Sequence, residues 1–190
     1  MQLKTPTGMD TRPTQDIIKE TLFNIIQFEI PGCIFLDLCA GSGAIGIEAL
    51  SRGAKHAYFA ENGREAASCI QENLHKTHFE EQGTLLRMDA SSALHQIHEK
   101  HADLIYLDPP YESDTVSRVL AELLHVNYVD ENTRIIIETS LTSDMDFLED
   151  LGYVVEREKT YHSQRHLFVR KKAAQEAGHG RNQGAVSRVL

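Results

Sequence analysis

Asp108-Pro109-Pro110-Tyr111 follows an apolar run, Ala102-Asp103-Leu104-Ile105-Tyr106-Leu107, which reads as a buried strand. A strand that stops at a carboxylate, two prolines and an aromatic suits chemistry on a planar amino group. The Asp108 carboxylate and a turn carbonyl can each accept a hydrogen bond from an exocyclic NH2. The Tyr111 ring can stack on the heterocycle that carries it. Pro109 and Pro110 remove two backbone donors and fix φ, so the loop is stiff and its carbonyls stay free to accept. Taken alone, the segment also fits an ordinary strand-ending turn. A second motif upstream separates the two readings.

That motif runs from Cys33 to Gly46: an apolar run Ile34-Phe35-Leu36-Asp37-Leu38-Cys39, then Ala40-Gly41-Ser42-Gly43-Ala44-Ile45-Gly46, continuing into Ile47-Glu48-Ala49-Leu50 as a helix. Glycines at such a turn permit positive φ and close approach of backbone to a ligand beneath the helix N-terminus. The Gly41-x-Gly43-x-x-Gly46 spacing also fits a dinucleotide fingerprint, with Glu61 about 20 residues on as ribose acceptor. Two features favour S-adenosylmethionine over NAD. Asp37 ends the strand four residues before the first glycine, where a carboxylate suits an ammonium and a sulfonium and repels a pyrophosphate. Asp108 to Tyr111, in addition, has no role in hydride transfer.

The chain is 190 residues long, enough for one domain with a substantial core. It has no apolar stretch of membrane-spanning length and no signal-peptide pattern at its start, so a cytoplasmic protein without a membrane partner is expected. Cys33, Cys39 and Cys69 have no metal-ligand spacing and read as buried thiols in a reducing compartment. The 10 histidines show no ligand pattern either, and no metal is assigned. A net charge of −9 is unusual for a nucleic-acid enzyme, since phosphate contacts normally demand excess Lys and Arg. The basic residues are clustered, however. Arg157, Lys159, Arg165, Arg170, Lys171 and Lys172 crowd the C-terminal runs, and Lys4, Arg12 and Lys19 mark the N-terminal segment. A local basic face and a merely solvated hairpin both fit.

Residues 1–13 read as an extended lead-in, 14–172 as the folded domain, and 173–190 as a disordered tail with little to bury. Within the domain the patterns predict helices over 15–27, 43–52, 64–78, 91–100, 115–125 and 144–151, the first of them with Thr14 as N-cap. Strands are predicted over 33–37, 56–60, 84–88, 102–107, 134–138, 153–159 and 166–170. The alternation implies an α/β fold, a Rossmann-like sheet that is mostly parallel, with helices on both faces and an antiparallel C-terminal strand. Ligands in such sheets bind beyond the carboxyl ends of the strands. Asp37, Glu61, Asp89 and Asp108 each close a successive strand at that edge. Gly41 and Gly43, flanked by Ala40 and Ser42, are expected against the methionine part of the cofactor, with Asp37 on its amino group. Glu61 is expected on the ribose hydroxyls, Asp89 with Met88 or Ala90 at the adenine, and Asp108 facing the methyl. Asp89 also fits a plain helix cap.

These residues resemble a class I S-adenosylmethionine-dependent methyltransferase, and more closely the RsmD family of 16S rRNA guanine-N2 methyltransferases. The resemblance covers nearly all of residues 3–171. It rests on Thr11-Arg12-Pro13-Thr14, on Lys19-Glu20 with Leu22-Phe23-Asn24, on Asp37 with Ala40-Gly41-Ser42-Gly43, on Gly46 with Glu48 to Gly53, and on Asp108 to Tyr111. Three departures stand out. The family usually begins with a short basic hairpin that helps to hold RNA, and Met1 starts just inside it. Ile17 stands where the family usually has Arg, and Tyr161-His162-Ser163-Gln164 replaces the usual Tyr-Gly-x-Thr.

The resemblance implies methyl transfer to the N2 amine of a guanine in 16S rRNA, within a small-subunit particle, by a monomer. Asp108, Pro109, Pro110 and Tyr111 would form the catalytic loop, orienting the amine for direct attack on the methyl, and the proton would leave afterwards. The target must be unstacked or single-stranded to reach such a loop. An adenine-N6 methyltransferase, a protein or small-molecule amine methyltransferase and a non-catalytic binding module stay open as alternatives.

Overall fold

The computed structural model describes residues 2–7, 13–110 and 114–173, with the side chains of Pro13 and Thr14 left aside. Seven strands form one sheet: β1 (Ile34–Leu38), β2 (His56–Ala60), β3 (Gly83–Leu86), β4 (Leu104–Leu107), β5 (Arg134–Ser140), β6 (Tyr153–Thr160) and β7 (Gln164–Lys171). Their order across the sheet is β3-β2-β1-β4-β5-β7-β6. The first five are parallel, and β7 runs antiparallel between β5 and β6. Among the described residues six helices accompany them: α1 (Pro13–Ile25), α2 (Ala44–Ser51), α3 (Arg64–Thr77), α4 (Ala90–Leu94), α5 (Thr115–Leu123) and α6 (Phe147–Asp150). The mixed α/β sheet expected from the sequence is the one found. No helix among the described residues is long and apolar enough to cross a membrane.

The inner strands are apolar on both sides because both faces are covered. Alternate residues go to alternate cores. Leu36, Leu38, Ile105, Leu107, Ile135 and Ile137 meet α4, α5 and α6 in one core. Phe35, Leu104, Tyr106, Ile136 and Phe168 meet α1, α2 and α3 in the other. This parity decides where the polar strand ends point. Asp37 follows the same alternation as Phe35, Asp108 that of Tyr106, Glu138 that of Ile136, and His166 that of Phe168. Register completes the alignment, since Asp37 lies beside Tyr106, Tyr106 beside Ile136, and Glu138 beside His166. One face at one edge therefore receives all four polar groups.

Several boundaries differ from the sequence-based ones, each for a local reason. α1 begins at Pro13, a residue suited to the first helical position because its missing N–H is not needed there. β3 ends at Leu86 and not at Met88, because the Met88 N–H turns back to the Leu86 carbonyl at 2.9 Å. α4 stops at Leu94 and not near 100: the Tyr128 hydroxyl donates to the Leu94 carbonyl at 2.7 Å, taking the acceptor a longer helix would use. α6 starts late because Asp144 accepts the Asp146 N–H at 2.9 Å in an Asx turn.

Candidate active site

The loop between β1 and α2 forms the floor of a cleft. Cys39, Gly41 and Gly43 all take left-handed φ, at 71°, 56° and 79°. A Cβ on Gly41 would meet nothing within 4 Å, so its backbone lies open to a ligand. Gly46 has a different task. A Cβ there would come within 2.3 Å of the Phe59 ring, so this glycine lets α2 settle on β2. Glu61 ties the loop to the next strand end. It accepts the Gly41 N–H on Oε2 at 2.9 Å and the Gly63 N–H on Oε1 at 2.7 Å.

Asp37 lies beneath this loop and does not line the cleft. It is only 1% exposed, and its Oδ2 accepts the Gly46 N–H at 2.9 Å. Burial raises its pKa to about 7, the Gly46 N–H opposes the rise, and Glu61 adds to it. Asp37 is expected from the sequence on the amino group of the cofactor, directly or through water; in the fold its own hydrogen bond goes to the backbone of α2, below the cleft wall. Asn73, which the sequence reading passed over, braces the same loop. It is fully buried, donates to the Ser42 carbonyl at 3.0 Å and to the Lys4 carbonyl at 2.8 Å, and accepts the Lys4 N–H at 2.7 Å. Residues 2–7 are thereby strapped across α3, and Thr5 and Pro6 reach the cleft.

The cleft has a volume of about 990 Å3, at the upper end of the range for ligand sites. At one end are Ala40, Gly41, Ser42, Glu61, Asp89 and Ala90. At the other are Asp108, Pro109, Pro110, Glu138 and His166, with Lys19 of α1 and Arg118 of α5 also in the lining. Gly43, like Asp37, stands behind the wall. Asp89 sits three residues past β3 and caps α4: its two oxygens accept from the Ser92 N–H at 3.1 Å and the Ser92 hydroxyl at 2.6 Å. The side-chain bond to Ser92, first, holds its pKa below the usual carboxylate range. Tyr111 lies outside the described residues.

Asp108 is half-buried, and its pKa is raised well above the ordinary value, first by burial and then by the charges of Glu138 and Asp37. Glu138 is the residue that sequence reasoning missed. The run Arg134-Ile135-Ile136-Ile137-Glu138 is read there only as a buried strand, yet it ends on a carboxylate as the other edge strands do. Cys39 also lines the cleft, but burial pushes its thiol up to about 12, so it offers no thiolate near neutral pH.

The C-terminal basic cluster is largely spent internally. Arg170 pairs with Glu156 at 2.7 Å, Lys172 with Glu149 at 3.4 Å and Arg165 with Glu158 at 3.5 Å, while Lys171 donates to the Val129 carbonyl at 2.9 Å. Arg157 lies over the Phe168 ring and Lys159 over that of Tyr161.

A sheet of this strand order, with a glycine loop and an acidic residue near the carboxyl end of each of its central strands, defines the class I methyltransferase fold. A solved structure entitled putative methyltransferase yhhF from Escherichia coli superposes with a TM-score of 0.73 at 26% identity, covering 90% of this chain and 92% of the other. The family described as conserved hypothetical protein 95 matches residues 1–170, and the chain belongs to this, the RsmD, family. Among its relatives, a putative rRNA methyltransferase YlbH of Bacillus subtilis is 35% identical over 162 residues, covering 84% of this chain and 87% of the relative. The ribosomal RNA small subunit methyltransferase D of Haemophilus influenzae is 33% identical over 151 residues, covering 78% and 77%.

Proposed function

We propose that this protein transfers a methyl group from S-adenosylmethionine to the N2 amine of a guanine in 16S rRNA. The observation that carries the reading is one cleft with the Glu61-tethered glycine loop at one end and Asp108 with Pro109 at the other. The names of the relatives, rRNA methyltransferases, support the substrate class.

The residues present fit such a cofactor. Burial and the charge of Glu61 raise the cost of ionising Asp37 beneath the glycine loop, and a ligand carrying fixed positive charge relieves that cost. A pyrophosphate would add to it. In this reading Gly41 and Ser42 would cradle the methionine part, Glu61 would accept the ribose hydroxyls, and Met88 to Ala90 would border the adenine. When bound, the cofactor supplies an electrophilic methyl.

The chain's own part concerns the acceptor. The lone pair of an arylamine is delocalised into its ring, so the amine is a weak nucleophile. Asp108 and the Pro109 carbonyl, accepting its two N–H bonds, would orient the nitrogen and concentrate electron density on it. Positive charge developing on that nitrogen would be stabilised by Asp108. Burial gives the Asp108 carboxylate a raised proton affinity, so it can also take the departing proton. Fixing the amine in this geometry supplies much of the acceleration.

The test is transfer of tritiated methyl to undermethylated 16S rRNA, free and in small-subunit particles, followed by nucleoside identification. Asp108→Ala should lower the rate at least about a thousandfold, with cofactor affinity within about threefold, since its two tasks are both on the acceptor side. A methylated nucleoside other than N2-methylguanosine, or an active Asp108→Ala, would refute the reading.

A further inference from the structure

Glu138 has no task in the scheme above, yet it is held with care. Its Oε2 accepts from the Tyr106 hydroxyl at 2.5 Å and from His166 Nε2 at 2.8 Å, and its Oε1 accepts from Gln164 Nε2. A carboxylate only accepts, so Nε2 of His166 carries a proton. In the neutral ring Nδ1 then accepts from the Tyr161 hydroxyl, 3.2 Å away. His166 is fully buried and Tyr106 nearly so. Packing alone does not call for this array, because an apolar residue could fill position 138 without burying charge. The array orients the carboxylate. Of about four acceptor positions, those on Oε2 are filled and Oε1 keeps one among the described residues.

The place of Glu138 suggests what that position is for. Glu138, Pro109 and Pro110 line both the main cleft and a side cavity of about 160 Å3, whose far wall includes Met145 and Phe147. Cavities of about 150 Å3 admit a benzene-sized ring. A planar base resting against the Pro109–Pro110 loop, with its amine toward Asp108, has one flank of that amine on the Glu138 side; in guanine the flanks are N1–H and N3, and a carboxylate accepts from the first and repels the second.

We propose that Glu138 is a specificity-determining residue that accepts the N1–H of the target guanine. The inference rests on the guanine-amine reading above and adds the group that selects the base. Beside its amine, guanine carries a ring N–H donor. Adenine and cytosine carry an acceptor nitrogen there, which a carboxylate repels. One fixed charge thus favours one amine-bearing base and rejects the other two.

The experiment uses short RNAs with one unpaired guanine, in the context identified by nucleoside mapping, or with 2-aminopurine at the same position. 2-Aminopurine keeps the amine but has an acceptor at N1. The wild-type enzyme should favour guanine by about 10- to 100-fold in kcat/KM, the discrimination a well-placed hydrogen-bonding pair supplies. Glu138→Gln keeps an acceptor for Tyr106 and His166. With the Gln164 amide turned over, it offers an N–H to the acceptor at N1. Its guanine preference should fall to within about threefold or invert, whereas Glu138→Asp should keep the preference at reduced kcat. Comparing the two ratios removes the intrinsic difference in reactivity between the two amines. An unchanged preference in a folded, cofactor-binding Glu138→Gln would overturn the proposal. So would a wild-type enzyme that uses both RNAs equally, a result that needs no variant to fold. Methylation of adenine or cytosine RNA with none of guanine would overturn this inference and the functional reading together. Guanine transfer without discrimination at N1 would overturn the inference alone.

Discussion

Replacing Asp37 with Asn should stabilise the ligand-free protein above neutral pH and weaken its hold on a cationic ligand. The side chain is fully buried under the glycine loop, and Asn keeps an acceptor for the Gly46 N–H. What Asn removes is the cost of ionising a buried acid. That cost follows from the displacement of the Asp37 pKa from 3.8 to about 7, caused first by burial. At about 1.4 kcal/mol per tenfold change in proton affinity, it amounts to about 4 kcal/mol once the group is fully ionised. Because the folded-state pKa lies above the unfolded one, the folded chain binds more protons between about pH 4 and 7. Wild-type stability therefore falls as pH rises through this window, and the loss is complete above it. The Asn variant lacks this dependence. Its advantage should grow by about 3 kcal/mol between pH 5 and pH 8, equivalent to about 6–12 °C in Tm for a chain of this size. Thermal melts of both proteins at the two pH values measure it directly. Comparing the change in the gap, and not the gap itself, cancels whatever the new amide costs. Calorimetry at pH 8 should show the opposite order for S-adenosylmethionine, with the variant binding about 10- to 100-fold more weakly for want of a charged acceptor nearby. A Tm gap that stays constant from pH 5 to 8, or widens toward acid, would refute the reasoning.

Two further outcomes are expected. Glu61→Ala should weaken S-adenosylmethionine binding by about 1.5–3 kcal/mol, the range for losing a charged acceptor, because it also frees the Gly41 and Gly63 N–H groups. Tight NAD binding with none of S-adenosylmethionine, in the same titration, would contradict the site assignment. Binding of naked rRNA should be weak and show a slope of about −2 to −3 in log affinity against log salt, since Arg165, Arg170 and Lys172 of the C-terminal cluster are paired internally. A slope steeper than about −6 would mean that those ion pairs open on RNA.

Much of this architecture was legible because the edge carboxylates sit at strand ends whose apolar runs are unmistakable. The glycine loop, the Asp108 loop and the mixed sheet followed from pattern alone. What stayed hidden depended on contacts between distant segments. Tyr128 ends α4 from 34 positions away, which no local propensity records. Asn73 is one polar residue on an amphipathic helix until Lys4 and Ser42 are seen on either side of it. Gly46 reads as part of a ligand fingerprint, and only the Phe59 ring shows it to be a packing glycine. Glu138 was available in principle, because strand parity places it on the same face as Asp37 and Asp108. Reading the sheet edge one strand further would have found it.

The same parity explains how an acidic protein can serve a polyanion. Asp37, Asp108 and Glu138 share one face of the sheet, and the whole chain carries a net charge of −9. A phosphate at that depth would meet carboxylates, whereas a base edge rich in N–H groups meets acceptors. Lys19 and Arg118, by contrast, come from α1 and α5, the helices beside the sheet, and not from its edge. The arrangement sorts a nucleotide by its parts. On the reading proposed above, it would draw the donor edge of the base inward and leave the backbone to cations around the mouth such as Lys19 and Arg118. That reading pairs weak attraction for RNA as a whole with strong discrimination for one extruded base. That combination fits a substrate whose target is presented by its own folded surroundings, so rates on an assembled particle should exceed those on naked rRNA. The excess should shrink if Glu158 is changed to Gln, since that removes the carboxylate paired with Arg165 and leaves its charge to phosphate. Parallel initial-rate assays on both substrates measure this, and equal rates on the two at physiological salt would contradict it.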